Sequence, residues 1–148
     1  MIRTAKPEEA EKIHALILRG IAGTSPTDAT WITKRASSTS GIVLVDIEDA
    51  HLVGAIVGQI VADEAEIHDV VIHEQSRRTG RGMNLVHHFE HYAQSKGATQ
   101  VFLEVRTDNH SAIGLYEKLH YKQTAHRPSY YADGQDALVM HKELRAEP

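Results

Sequence analysis

A turn rich in glycine and arginine is the segment of this chain best suited to binding a ligand. Its residues are Arg77, Arg78, Thr79, Gly80, Arg81 and Gly82. An apolar run, Val70-Val71-Ile72, precedes the turn, and an amphipathic stretch over 83–96 follows it. Glycines let the backbone approach a ligand closely, and the first N–H groups of a helix attract anions. The pattern indicates a phosphate-binding turn between a strand and a helix, with a plain solvated turn as the alternative.

The spacing within this turn excludes two common nucleotide-binding templates. No Lys-Ser or Lys-Thr pair follows Gly82, as a P-loop requires, and Gly80 and Gly82 do not fit the dinucleotide pattern GxGxxG. Arginine side chains in the same turn add positive charge. The expected ligand therefore carries phosphate without being an ordinary P-loop nucleotide.

Composition limits the class of protein. The chain has 148 residues, of which 41% are hydrophobic and 24% charged, and these values fit one soluble globular domain over 1–148. It has no cysteine, which excludes disulfides, thiolate zinc sites and a cysteine nucleophile. A formal net charge of −4 argues against a nucleic-acid partner bound through bulk charge. Because we find no signal peptide and no apolar run near about twenty residues, we expect a cytoplasmic protein without a membrane partner.

Changes in sequence texture predict the elements that must position the turn. Three β-branched runs with short links, beginning at residue 42, predict an antiparallel meander. Ser25, in a loop over 23–26, is expected to cap a short helix carrying Trp31, and Asp108-Asn109 to cap the last helix. We expect strands at 2–5, 42–47, 51–61, 65–72, 101–105, 121–126 and 137–144, and helices at 7–20, around Trp31, at 83–96 and after Asn109. The order β-α-α-β-β-β-α-β-α-β-β predicts one mixed α/β domain.

Two motifs in this order resemble the GNAT acetyltransferase superfamily. The first is its acetyl-CoA signature, Gln or Arg, two residues, Gly, one residue, then Gly or Ala, which Arg77, Gly80 and Gly82 fill. The second, over 109–121, is similar to a segment that commonly reads Asn, Ala-x-x-x-Tyr, then Leu-Gly-Phe, with His120 in place of its glycine. The resemblance covers nearly the whole chain. It implies the GNAT fold, with a mostly antiparallel mixed sheet flanked by helices, and acetyl-CoA as co-substrate.

Further segments resemble the protein N-terminal, or Nα, acetyltransferases of that superfamily. Leu103-Glu104-Val105-Arg106 is similar to bacterial ribosomal-protein-alanine N-acetyltransferases, and Tyr-Tyr-Ala-Asp-Gly over 130–134 is similar to archaeal and eukaryotic catalytic subunits. The segment 20–30 lacks the Phe-Pro-Trp-like sequence of the ribosomal-alanine group. The resemblance implies acetylation of the α-amino group of a protein N-terminus, possible acceptors including ribosomal proteins.

Acetylation of an amine by a thioester requires a neutral amine, a group that holds the developing oxyanion, and a proton for the departing thiolate. Because no cysteine can carry the acetyl group, direct transfer is favoured. Glu104 is the predicted base, since its strand is expected to be buried and the resemblance places the base there; an ion pair with Arg106 or with a neighbouring residue is the alternative. Tyr116 is the predicted acid, because its phenol can reach the CoA sulfur from the last helix; packing in the core is the alternative.

The resemblance also implies how the donor is held. Backbone groups of Val70, Val71 and Ile72 are expected to meet pantetheine, with an N–H near Val70 or Val71 holding the thioester oxygen. The N–H groups of 79–82 are expected to bind the pyrophosphate, with Arg77, Arg78 and Arg81 adding charge. Asn109 is expected to contact pantetheine or Tyr116 besides capping its helix, and capping alone is the alternative.

The acceptor side is implied by the double tyrosine. Tyr130 and Tyr131 are expected to line a peptide groove, with packing inside a loop as the alternative. Two other functions stay open: a GNAT enzyme acting on a small-molecule amine or a lysine side chain, and a non-catalytic acyl-CoA-binding regulatory domain. The oligomeric state and the need for a partner subunit also stay open.

Histidines raise the question of a metal. His87 and His91 have the i, i+4 spacing of zinc ligands, but no third ligand or HExxH pattern accompanies them. A solvated helix face is the favoured interpretation, and no metal is expected. His68 and His110 lie closer to the predicted site, where either could relay a proton.

Overall fold

The sheet contains every strand that the sequence predicts. The computed structural model describes residues 1–20 and 28–145. Its strands are β1 (Ile2–Thr4), β2 (Gly41–Glu48), β3 (His51–Val61), β4 (Glu64–Ile72), β5 (Gln100–Arg106), β6 (Lys122–Arg127) and β7 (Ala137–Glu143). They form one sheet in the order β1-β2-β3-β4-β5-β7-β6. Only β4 and β5 are parallel neighbours, so the sheet is mixed and mostly antiparallel, as expected.

In the described ranges, four helices connect and flank these strands. They are α1 (Ala10–Gly20), α2 (Ala29–Ser37), α3 (Arg81–Ser95) and α4 (His110–Lys118), with 3₁₀ turns at Pro7–Glu9 and Glu74–Ser76. The order of elements confirms the prediction. Within the described ranges, no helix is both long and apolar enough to cross a membrane.

The meander from β2 to β4 follows from β-branched runs joined by tight turns. Both pairs in it are antiparallel, and β2 pairs with β3 from end to end. Asp49 and Ala50 close the first turn and Ala62 the second, with left-handed φ angles of 50°, 65° and 57°. Such turns match the twist of the flanking strands, so the three runs fold back on one another locally.

The helices bury two separate cores, one on each face of the sheet. On the first face, α3 and α4 pack over the sheet, and Phe89 of α3 is completely buried there. On the second face, α1 and α2 pack chiefly over β2, β3 and β4, where they bury Ile13, Ile17 and Ile32. Each such side chain contributes about 1.5–3 kcal/mol on burial. On the second face, alternate residues of β5 stay partly exposed, namely Gln100, Phe102, Glu104 and Arg106. We call this uncovered part of the sheet the open shelf.

The start of α2 corrects a prediction. Its N-cap is Asp28, whose carboxylate accepts a hydrogen bond from the Trp31 N–H at 2.7 Å. Ser25, the predicted cap, and the predicted loop over 23–26 lie outside the described residues. Aspartate and serine cap helices about equally well, so the cap type alone could not decide between the two positions.

At the end of α4, His120 stands where the related motif has glycine. His120 has a left-handed φ of 71°. Its N–H donates to the Glu117 carbonyl at 3.0 Å, and the Tyr121 N–H donates to the Tyr116 carbonyl at 2.9 Å. Left-handed backbone costs a residue with a Cβ about 1 kcal/mol. His120 therefore adds strain at the end of the helix, where the left-handed backbone suits glycine.

Candidate active site

Strands β4 and β5 separate partway along their length and leave a V-shaped gap in the sheet, which we call the fork. Their parallel pairing runs from Glu64↔Gln100 only to Ile67↔Leu103, although both strands continue. On its other side β4 stays paired with β3, and the His73 N–H donates to the Val53 carbonyl. Because backbone groups alternate in direction along a strand, the N–H groups of Val70 and Ile72 point into the fork. The fork can therefore hold an extended ligand by backbone hydrogen bonds.

Of the two predicted donors to the thioester oxygen, Val70 has the suitable direction. Val71 lies opposite Ala55 in the register of β3 and β4, and by the same alternation its N–H points to β3. The carbonyl of Ile72, which points away from β3, accepts a hydrogen bond from Arg77 Nε at 3.0 Å. This contact ties the end of β4 to the glycine turn.

The glycine turn lies at the start of α3, next to α4. Gly80 is the N-cap of α3 and has a left-handed φ of 81°, and a Cβ built there would have no atom within 4 Å. A Cβ at Gly82 would lie 3.3 Å from the Leu115 side chain of α4. The two predicted motifs thus meet at this point, and the space beside Gly80, the N-cap of α3, is open. These N–H groups suit an anion.

The three arginines of the turn differ in what they contact. Arg81 donates to Asp46 Oδ2 at 2.8 Å and also pairs with Glu48, so its guanidinium joins α3 to β2. Arg77 holds the end of β4. The expected charge of Arg81 at an anion is therefore neutralised locally, and only its backbone N–H keeps the predicted role. Arg78 has a left-handed φ of 63° within the turn.

Tyr116 and Asn109 lie on α4 as predicted. Asn109 is the N-cap, and its Oδ1 accepts from the Ala112 N–H at 3.2 Å, which confirms the capping role. Tyr116 is buried, with its ring edge against Tyr121 at 5.6 Å between centroids. Burial raises the pKa of Tyr116, and the charge of Asp69 raises it further. The phenol therefore keeps its proton near neutral pH and can donate it.

Glu104 is more open than its sequence context suggests. Burial alternates along β5, so the apolar neighbours Leu103 and Val105 point into the opposite core, and the Glu104 side chain is 26% exposed. The prediction of a strand buried throughout is wrong because only one face of β5 is covered. Glu104 Oε1 lies 3.9 Å from Arg127 Nε, whereas Oε2 is buried without a hydrogen-bond partner among the described residues.

The double tyrosine lies beside Glu104. The rings of Tyr130 and Tyr131 meet edge to face at 5.2 Å, and 49% of Tyr130 is exposed. Hydrogen bonding to the Glu104 carboxylate raises the pKa of Tyr130. Burial, with the charge of Glu104, raises the pKa of Tyr131 to about 12. Both phenols are thus protonated hydrogen-bond donors at the edge of the site.

Sequence reasoning missed the residues that hold this loop. Arg106 pairs with Asp133 at 2.6 Å and with Asp108 at 3.1 Å, and its guanidinium lies 5.0 Å from the Tyr131 ring centroid. Gln135 donates to the Thr107 hydroxyl at 2.6 Å. The signal was present, because Arg106 belongs to the same four-residue motif as Glu104. These contacts fasten the tyrosine loop to the end of β5.

A cleft of about 250 Å³ lies on the open shelf next to Glu104. It extends between β4 and β7 and is lined in part by Glu66, Phe102, Glu104, Arg127 and Val139. Its lining is both apolar and charged, and it opens to solvent. A cleft of this kind can admit an extended polypeptide more readily than it can enclose a small molecule.

The histidines of α3 lie on a solvated part of that helix. Within 1–20 and 28–145, no group of three His, Asp or Glu side chains is arranged to hold a metal ion. His87 faces Glu90, with Nδ1 3.7 Å from Oε1, and is more than half exposed. The solvated-face interpretation fits this position.

A forked sheet, a glycine turn at the start of α3, and the Glu104 carboxylate on β5 together suit the binding of an acyl donor and the transfer of its acyl group. Residues 9–121 match the family described as the acetyltransferase (GNAT) family. The chain therefore belongs to the GNAT acetyltransferases.

Named relatives and solved structures share this fold over nearly the full chain. A Bacillus subtilis protein provisionally named as a ribosomal protein bS18-alanine N-acetyltransferase is 38% identical over 141 residues, covering 94% of this chain and 92% of the relative. Ard1 from Thermoplasma volcanium superimposes with a TM-score of 0.83 at 31% identity, covering 99% and 98% of the two chains. The Escherichia coli ribosomal-protein-S18-alanine N-acetyltransferase superimposes with a TM-score of 0.86 at 22% identity, covering 100% and 96%.

Proposed function

We propose that this enzyme transfers the acetyl group of acetyl-CoA directly to the α-amino group of a polypeptide N-terminus. The observation that carries the proposal is the convergence of Glu104, Tyr131 and Tyr116 beside the fork. Glu104 and Tyr116 each lie within electrostatic range of Tyr131, since the charge of Glu104 raises the pKa of Tyr131, and ionised Tyr131 would raise that of Tyr116. A proton acceptor and a proton donor therefore flank the place where the amine would meet the thioester.

The donor is acetyl-CoA, and the backbone holds it. Pantetheine would lie in the fork along β4, with the Val70 N–H directed at the thioester oxygen. The N–H groups of 79–82 would bind the pyrophosphate at the start of α3. Backbone donors that are already oriented stabilise a developing oxyanion without reorganising. Asn109, at the mouth of the fork, would contact pantetheine as well as cap α4.

The proton balance assigns one role to each side chain. The ammonium gives a proton to Glu104, from which it passes to solvent, and the neutral amine then attacks the thioester carbon. The N–C bond forms and the C–S bond breaks, and Tyr116 gives its proton to the thiolate. The second proton lost from nitrogen restores the phenol. An α-amine has a pKa near about 7.7–8.0, against about 10.4 for lysine, so one carboxylate is a sufficient base.

The acceptor is a protein N-terminus in this proposal because the acceptor side is an open cleft bordered by phenols. Tyr130 and Tyr131 would donate hydrogen bonds to the main chain of the first residues. The relatives named for ribosomal protein bS18 make a ribosomal-protein N-terminus the first acceptor to test. Such an acceptor is made in the cytoplasm, the compartment expected from the sequence.

A peptide panel tests the proposal. The full chain is incubated with acetyl-CoA and peptides that differ only in the first residue, and mass gain and free CoA are measured. Copies with a blocked α-amine and a free lysine, beside polyamines and aminoglycosides, serve as controls. Mass gain on unblocked peptides alone is expected. Transfer only to lysine or small amines would favour the alternative enzyme, and tight acetyl-CoA binding without any turnover would favour a regulatory domain.

A further inference from the structure

Three buried polar atoms lack a hydrogen-bond partner within the described residues, and they belong to one neighbourhood. They are Arg35 Nε, His68 Nε2 and Glu104 Oε2. The charges of Arg35 and Glu104 both act on the His68 ring. Buried polar atoms are nearly always satisfied in native proteins, by the protein, by water or by a ligand. Three in one place therefore mark a site prepared for a partner with hydrogen-bonding groups of its own.

His68 and Glu104 face each other across the mouth of the fork. The last β4–β5 pair is Ile67↔Leu103, and His68 and Glu104 are the next residue on each strand. His68 is also the extra residue of a β-bulge, since Val57 pairs with Asp69 while Gly58 pairs with Ile67. Bulges commonly redirect a side chain beside an active site. Here the bulge brings an imidazole next to the predicted base.

The surroundings of His68 leave Nε2 as an acceptor. Nδ1 lies 3.8 Å from Glu66 Oε1, which is too far for a hydrogen bond, but a hydrogen on Nδ1 would face the negative carboxylate and would leave the lone pair on Nε2. Burial first, and then the charge of Arg35, lowers the pKa of His68 to about 4, so the ring is neutral near pH 7. Trp31 packs edge-on against the ring at 4.7 Å, and Arg35 lies 3.9 Å from the centroid of Trp31. Together these contacts hold the imidazole in place.

We propose that His68 Nε2 and Glu104 Oε2 together receive the acceptor amine, so that His68 is a further substrate-binding residue. This rests on the proposed function. An ammonium has three N–H donors, and the two unpartnered acceptors at the fork match two of them. After Glu104 takes its proton, the amine keeps an N–H to His68. That contact turns its lone pair toward the thioester.

Binding of paired peptides to the full-length protein with CoA tests this role apart from catalysis. One peptide is a substrate of the wild type, and the other is its des-amino counterpart, which has no N–H donor at that position. His68→Phe keeps a ring but loses the acceptor, His68→Gln keeps an acceptor, and His51→Phe makes the same change at an exposed histidine of β3. We expect His68→Phe to weaken binding of the amino peptide about ten-fold and that of the des-amino peptide less than about two-fold.

The kinetic outcomes follow the same logic. In His68→Phe, kcat/KM for the peptide should fall at least about ten-fold, while the KM for acetyl-CoA should change less than about two-fold. His68→Gln should recover most of the lost kcat/KM. His51→Phe should change neither quantity. Equal weakening of both peptides, or no weakening, would overturn the inference and leave the proposed function standing. A wild type that acetylates no peptide α-amine would overturn both.

Discussion

Glutamate lies beside tyrosine at two places in this molecule, and the hydrogen bonding of the two carboxylates differs. Under α3, Glu90 is 7% exposed, and its Oε2 accepts from the Tyr121 hydroxyl at 2.8 Å while Oε1 accepts from Lys142 Nζ at 3.1 Å. At the fork, Glu104 leaves Oε2 without a partner in the described part of the chain. Tyr116 packs against Tyr121, so the two neighbourhoods adjoin.

This difference in hydrogen bonding indicates that Glu90 stabilises the fold, whereas Glu104 is available for function. A buried carboxylate with all its hydrogen bonds made holds two elements together. Removing one partner leaves the other group buried without a hydrogen bond, which costs its full desolvation penalty. A carboxylate that keeps one buried oxygen without a protein partner lowers stability and keeps that oxygen free for a ligand. Matched substitutions in the two neighbourhoods should therefore separate activity from stability.

The largest expected effect is that of Glu104→Gln, which we expect to lower kcat/KM about 100- to 1000-fold, the usual loss for a general base. The free energy of unfolding should change by less than about 0.5 kcal/mol, because the glutamine amide keeps an oxygen acceptor for Tyr130 and the ion pair with Arg127 is long and partly exposed. Steady-state kinetics and urea unfolding measure the two quantities.

Glu90→Gln is the matched control for that substitution. It should cost about 2 kcal/mol of unfolding free energy, since Lys142 loses its charge partner, and change kcat/KM less than about two-fold. A similar pattern of losses at Glu90 and Glu104 would contradict the distinction between the two carboxylates.

The adjoining tyrosines offer the next contrast. Tyr116→Phe should lower kcat about 10- to 100-fold, because the departing thiolate loses its proton donor, with little change in stability. Tyr121→Phe should cost about 1–2 kcal/mol by removing the hydrogen bond to Glu90, with kcat nearly unchanged. The same two assays apply, and a stability loss at Tyr116 equal to that at Tyr121 would favour the core-packing interpretation of Tyr116.

Because His68 is buried in its neutral form beside the fork, the free energy of unfolding should depend on pH. The pKa of His68 is lowered to about 4 in the folded protein from 6.5, so the unfolded chain binds the proton more readily and stability falls as pH falls from 6.5 to 4. The loss amounts to about 2 kcal/mol. Urea unfolding across this range should show the loss in the wild type relative to His68→Phe. Parallel curves for the two proteins would refute it.

The smallest expected effect lies in the turn that joins Tyr116 to Tyr121. His120→Gly should raise the free energy of unfolding by about 0.5–1 kcal/mol, because glycine adopts the left-handed φ of 71° without strain. His120→Ala, which keeps a Cβ, should give no such gain. Thermal unfolding measures both, and activity should stay unchanged because the path of the chain is the same.

The elements were largely predictable, since their signals are local. β-branched runs, short turns and the apolar face of α3 predicted the strands and helices to within a few residues. The errors have non-local causes. β5 was expected to be buried on both faces, but α1 and α2 cover other strands, so Glu104 is partly open. Arg81 was expected to supply charge to an anion, but β2 brings Asp46 to its guanidinium.

The sequence by itself determined the order of elements, the glycine turn that caps α3, and the side-chain types available for acetyl transfer, because each depends on residues close together in the chain. Only the tertiary structure decided that β4 and β5 part after Ile67 and Leu103, and that Val70 rather than Val71 faces the gap. It also decided that His68 and Glu104 follow the last paired residues of the two strands. Strand register and bulge position depend on contacts between segments far apart in sequence. For that reason no local pattern could have revealed the unpartnered atoms at the fork.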